Sequence, residues 1–160
     1  MNVPEFFVTR WEAEQPAFAR VLRAIPADRL DYTPHERSTG AGALAWQLAN
    51  EQDHLSQLLD TGEIHFSVTP YPAADQIVAA WDTATAKLRD KLKGLDEATC
   101  ARPGKMLMGG HEVWADTVGN MLWGYLFDMV HHRGQISTYL RPMGGKVPAI
   151  YGPSADDTGA

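Results

Sequence analysis

Apolar residues recur along this chain at helical spacing in four long stretches, each closed by proline or glycine. From about residue 3 to 24, Phe7, Trp11, Phe18 and Val21 or Leu22 form one stripe, and Pro16 is expected to bend the helix that carries it. Pro26, Pro34 and the polar run to Arg37 predict a loop. Ser38 is the expected N-cap of a second helix that ends near Asp60, with Gly62 just beyond it. After Pro70 and Pro72, a third amphipathic segment from about 73 to 93 turns Ile77, Trp81, Leu88 and Leu92 inward and its basic residues outward. Residues 106–113 hold two short apolar runs around Gly109-Gly110, a pattern that fits either a small hairpin or a loop. The last helix is expected from about 116 to 141, stopped by Pro142, Gly144 and Gly145 and followed by a tail over 143–160.

Four long helices, no convincing sheet and two long connections predict an all-α four-helix bundle with crossover connections, one domain over residues 1–160. Binding sites in such bundles lie between helices. The second helix carries Leu44, Leu48, Glu51, Leu55 and Leu58 at alternating spacings of four and three, which puts Glu51 at a seam position that packing would give to leucine. Gln47 and His54 flank it on the same side. The competing reading rotates this helix so that the row faces water and Glu51 is an ordinary surface acid.

The last helix shows the same anomaly. Within the most apolar stretch of the chain, Asp128, His131 or His132, and Gln135 project to one side, so a carboxylate oxygen and an imidazole nitrogen can converge on one ion. The bland alternative is an internal hydrogen bond between residues one turn apart.

Composition narrows the partners. With 160 residues, 44% hydrophobic, a net charge of -6 and no run of Lys or Arg, the chain is a poor match for nucleic acid or an anionic membrane, leaving small molecules and proteins. The first residues lack the basic-then-apolar pattern of a leader and no stretch is long enough to span a bilayer, so the expectation is a cytoplasmic protein. Cys100, the only cysteine, is read as an inert thiol, and any metal must use His, carboxylate or amide ligands. His35, His65 and His111 fall in predicted loops and receive no role.

The run Asp128-Met-Val-His-His-Arg-Gly-Gln-Ile136 resembles the His-Arg-Gly-Gln element of the DinB/YfiT-like family, and the following Ser-Thr-Tyr-Leu-Arg-Pro-Met-Gly-Gly-Lys-Val-Pro-Ala-Ile-Tyr-Gly-Pro-Ser resembles one branch of it. The resemblance implies a four-helix bundle, commonly a homodimer, in which one His of the second helix and two of the last bind a divalent metal. Here His132 matches, Asp128 stands where the other His of the last helix belongs, and Gln47 takes the second-helix position. The ligand set it implies is His132 and Asp128 with Glu51 or Gln47 completing it, and His131, Gln135 and His54 behind them. Zn, Ni, Mn and Fe are the candidate ions. Arg133 is expected to meet a carboxylate at the surface or a dimer contact, and Gly134 to allow close helix packing.

By the same resemblance, the leading function is a thiol S-transferase that presents a low-molecular-weight thiol to an electrophile at one divalent ion, with Glu51 handling the proton. A metal-dependent hydrolase would use the same ligands. A third reading is a non-catalytic, stress-linked binding or dimerisation bundle with a degenerate site. A di-iron protein built on Glu51-x-x-His54, Asp128-x-x-His131 and Glu14 ranks lower, because the third helix offers no seam acid and Asp82 lies beside its stripe.

Overall fold

The computed structural model describes residues 2–159. Four long helices carry the chain: α1 (Val3–Arg23), α2 (Ala41–Thr61), α3 (Ala74–Leu92) and, after the single-turn-sized α4 (Glu97–Ala101), α5 (Val118–Leu140). α2 packs against α3 and α5, and α1 packs against α5 and α3, which closes the long helices into a ring. The predicted stripes point into it. Phe7, Trp11, Phe18, Leu48, Leu55, Ile77, Trp81, Leu88, Met129 and Ile136 are all buried, each contributing about 1.5–3 kcal/mol of transfer free energy.

Three buried polar side chains inside this ring, those of Trp11, Gln15 and Gln52, are partnered in a chain. Trp11 Nε1 donates to Gln52 Oε1 at 3.1 Å, Gln52 Nε2 to Gln15 Oε1 at 2.8 Å, and Gln15 Nε2 to the Trp11 carbonyl at 2.8 Å. These bonds offset the desolvation that would otherwise penalise two glutamines in a core.

The bundle is not purely helical. Strands β1 (Glu63–Phe66), β2 (Pro103–Met108) and β3 (His111–Thr117) form a small sheet in the order β1-β2-β3, parallel between the first pair and antiparallel in the second. The hairpin reading of Gly109-Gly110 holds, with both glycines at positive φ (58° and 83°), as a two-residue turn matching strand twist requires. β1 was not expected. It starts directly after Gly62, which ends α2 in the left-handed conformation (φ 77°), so the chain turns out of the helix and into the sheet. His65 and His111 therefore lie on strands rather than loops. Helix limits agree within two to three residues, except that Gly40 and not Ser38 caps α2. Gly134 is exposed, with nothing within 4 Å of where a Cβ would stand, so it does not serve close packing.

Arg133 is the largest correction. Instead of reaching a surface acid, it is 2% exposed, donates from Nη1 to the buried Glu14 of α1 at 2.6 Å and from Nη2 to the Tyr151 hydroxyl at 2.5 Å. Tyr151 donates to the same Glu14 oxygen at 2.8 Å, and the guanidinium lies 4.6 Å from the Phe18 ring centroid and 5.0 Å from that of Tyr151. This cluster ties α5, α1 and the C-terminal tail together. Arg133→Leu is expected to cost about 1–3 kcal/mol in urea unfolding, because the buried Glu14 then keeps only the Tyr151 hydroxyl and the half-exposed Arg10, 3.1 Å from its other oxygen. The double variant Glu14→Met/Arg133→Leu should recover most of that loss; a double variant as unstable as the single one would contradict the pairing.

Candidate metal centre

The polar positions of α2 and α5 meet where these helices touch. The seam spacing on α2 buries Glu51 to 2% exposure, so the solvated alternative for this row does not hold. One turn apart on α5, Asp128 and His132 approach it from the other side, their side chains 51% and 15% exposed. One ligand atom from each of Glu51, Asp128 and His132 lies within 4.8 Å of the other two. Asp128 thus sits at the rim of the site rather than inside the apolar core, and water reaches the cluster from its side.

Hydrogen bonds set the orientation of each donor. His132 Nδ1 lies 2.8 Å from Gln135 Oε1. An amide oxygen only accepts, so Nδ1 carries the hydrogen and Nε2 faces the acids. Nε2 is 2.8 Å from Gln47 Nε2 and 3.3 Å from Asp128 Oδ2. Those two contacts belong to different protonation states: bare, Nε2 accepts from Gln47; protonated, it donates to Asp128. Gln47 Nε2 also donates to Glu51 Oε1 at 2.9 Å. The amide therefore turns N–H groups toward the cluster, and using its oxygen as a ligand would require turning it over and losing the bond to Glu51. Glu51 Oε2 is buried without a hydrogen-bond partner. A divalent cation would satisfy that orphaned oxygen, so the residues fit a metal, with a donor set of two carboxylates and one imidazole.

The other sequence candidates separate here. His131 is exposed, its ring 5.3 Å from that of His132, and it is outside the converging group. His54 is buried three residues after Glu51 but faces a different cavity. Glu14 is committed to Arg133, and Asp82 pairs with Arg23 on the surface. Among the described residues, a second carboxylate–His set for a di-iron centre is not assembled.

Two cavities flank the cluster. The larger, about 320 Å³, is lined by Gln47, Glu51 and Asp128 below and by Phe66, Met106, Trp114, Gly124 and Tyr125 around it. The smaller, about 250 Å³, includes Trp46, Gln47, Asn50, His54, Phe66 and Thr69. Gln47 and Phe66 belong to both. The sheet supplies three walls; its β2–β3 hairpin is one of the two sequence readings of that stretch, whereas β1, which carries Phe66, was not expected. Gly124 is part of the reason they fit: a Cβ there would lie 2.7 Å from the Trp114 ring. A glycine one turn before Asp128 was the available signal.

Charge and burial act on the cluster in opposite ways. Burial raises Glu51 to about 8, with the neighbouring Asp128 charge adding to it and the Gln47 bond opposing. The bond to Asp128 raises His132 to about 9 against the effect of burial, and the same bond lowers Asp128. Burial also raises the Tyr125 hydroxyl and depresses His54.

The family model described as "DinB family" matches residues 1–159. A DinB-like protein of Bacillus subtilis (YjoA) superposes with a TM-score of 0.67 at 18% identity, over 88% of this chain and 92% of that one. Another, from Bacillus cereus, superposes with a TM-score of 0.74 at 17% identity, over 92% and 97%. At these identities the two structures speak for the fold alone. No curated protein sequence matches the chain.

The pKa directions fix a pH dependence for chelator-treated protein. Folded Glu51 and His132 both hold their protons above the unfolded values of 4.5 and 6.5, so their contribution to stability is present below those values. It is lost as pH rises through about 8 and 9. Unfolding by urea between pH 5 and 9 should show stability falling, and Glu51→Gln should flatten the lower part of that fall. Added divalent metal should reverse the trend, since binding requires both protons to leave. Because burial of His54 acts in the opposite direction below its ordinary value, the decisive comparison is with Glu51→Gln: wild-type stability that rises with pH relative to that variant in chelator would contradict the buried-acid assignment.

Proposed function

Since the chain belongs to the DinB family and brings Glu51, Asp128 and His132 together beside two cavities, we propose that it is a divalent-metal-dependent enzyme that transfers a low-molecular-weight thiol to an electrophile. The observation that carries this reading is a pair of neighbouring cavities that share Gln47 and Phe66 as lining, the larger of them lined by Glu51 and Asp128 of the cluster. Group transfer between two small molecules needs two adjoining seats, whereas hydrolysis needs one seat and a water.

His132 Nε2, Asp128 and Glu51 would hold the ion, with Gln47 tethering Glu51 and Gln135 fixing the imidazole. Carboxylate and imidazole donors together suit Mn, Fe or Zn better than an ion that demands thiolates. When bound, the ion would supply positive charge beside Gln47, the residue that lines both cavities, and so favour the ionised form of a thiol close by. Everything else is done by the chain. Phe66, Met106, Trp114 and Tyr125 give the larger cavity apolar walls that take up the apolar part of the electrophile. Glu51 would give up the proton that burial holds on it when the ion enters, and face the ion as a carboxylate.

One observation favours hydrolysis as a second reading: two of the three donors are hard oxygens, which suit a water ligand better than a soft sulfur. The homodimer that the family resemblance implies has a candidate face in the aromatic cluster Phe6, Trp123 and Phe127, with centroids 5.5 and 5.7 Å apart and both phenylalanines exposed.

Elemental analysis of tag-free protein purified without chelator should find one divalent ion per chain after supplementation. His132→Ala should weaken that binding by at least about tenfold. The metal-loaded protein should consume alkyl thiol together with 1-chloro-2,4-dinitrobenzene, and the apo form should not. Absence of thiol consumption with Mn, Fe, Zn and Ni would overturn the transferase; metal-dependent ester hydrolysis in its place would establish the second reading. Absence of stoichiometric metal would leave a binding bundle.

A further inference from the structure

His54 is a buried imidazole that the metal cluster does not use. It is 7% exposed, and its Nδ1 is buried with no hydrogen-bond partner. The ring is held edge-on to Tyr125, with centroids 6.0 Å apart, and tilted against Phe66 at 5.8 Å. Leaving a buried imidazole nitrogen unpartnered is costly, and a packing role alone would avoid that cost with leucine or methionine.

His54 also has a distinctive place. It lines the smaller cavity, whereas Glu51, three residues earlier on α2, lines the larger one. Among the described residues around the smaller cavity, His54 is the one ionisable side chain; the polar remainder is neutral, including Thr39, Asn50 and Ser67. Trp46 Nε1, two turns earlier on α2, is already given to Thr69 Oγ1 at 2.8 Å. Burial keeps the ring neutral, opposed by the Asp53 charge, and Asp53 is itself drawn off by Lys87 at 2.7 Å. Nδ1 is sealed from solvent, so the nitrogen open to a cavity ligand is Nε2, and a neutral imidazole with its lone pair there is a proton acceptor at neutral pH.

Building on the transferase reading above, we infer that the smaller cavity seats the thiol and that His54 is the base that takes its proton. The S–H bond breaks, its proton passing to the imidazole and its electron pair remaining on sulfur. That pair forms the S–C bond to the electrophile in the larger cavity, while the bond from carbon to the leaving group breaks and its pair departs with that group. The imidazolium then returns its proton to water. Phe66 and Gln47 line both cavities, so sulfur would meet carbon by displacement of these two side chains.

The test compares two thiols with one electrophile. An alkyl thiol must lose a proton to react, whereas an aryl thiol already ionised at neutral pH needs no base. In the metal-loaded protein, His54→Gln should lower turnover with the alkyl thiol by on the order of 100-fold. Turnover with the aryl thiol should stay within about threefold of the wild-type value, with metal content unchanged. His54→Asn, run in parallel, should show the same split, so that poor folding of one variant does not decide the outcome. Equal losses with both thiols in metal-replete variants, or no loss with either, would overturn the role of His54 while leaving the transferase intact. Wild-type protein that consumes neither thiol would overturn both.

Discussion

A carboxylate cannot be buried between two helices without a proton or a cation, and that constraint governs the middle of this protein. Glu51 stands where the α2 seam would otherwise carry leucine, 2% exposed, with one oxygen lacking any partner. The surrounding side chains partly offset the cost: Gln47 donates to the other oxygen, and the Asp128–His132 pair faces it from α5. In the metal-free state the balance is struck by protons, held on Glu51 by burial and on His132 by Asp128. Replacing them with a divalent ion is the one change that satisfies all three side chains at once.

The fold holds α5 in register for this from two directions. His132 points to α2 and its neighbour Arg133, about 100° further round the helix, points to α1, where Glu14, Phe18 and Tyr151 enclose it. The buried ion pair on one face and the acid–imidazole cluster on the other fix the rotation of the helix, so that Asp128 one turn earlier falls at the rim. The sheet then covers that rim: Phe66 comes from β1, Met106 from β2 and Trp114 from β3, giving a helical site aromatic walls that no helix supplies.

Much of this was legible from residue spacing. The period that put Glu51 in a leucine seam, and Asp128 and His132 on one side of the last helix, depends only on local geometry, and the structure brings those groups together. What the sequence concealed was non-local. β1 is four residues long and pairs with β2 about forty residues later in the chain, so no local pattern announces it. Arg133 read as a surface group because its partner Glu14 lies 119 residues away, and Tyr151 in the tail gave no sign of returning to cover it. Ser38 looked like a cap, yet the backbone enters α2 only at Gly40, where a Cβ at the neighbouring Gly42 would meet the Leu30 carbonyl at 2.9 Å. Gln47 was read as a ligand from its place in the family pattern; its amide instead turns nitrogen toward His132 and Glu51.

The central claim is that Glu51, Asp128 and His132 form one divalent-cation site between α2 and α5. Crystals grown with Mn²⁺ and measured for anomalous scattering test it most directly. The account predicts a single strong peak per chain in contact with His132 Nε2 and with carboxylate oxygens of Glu51 and Asp128. An empty cluster alongside peaks elsewhere, for example at the exposed His65 and Glu63 pair, would contradict it.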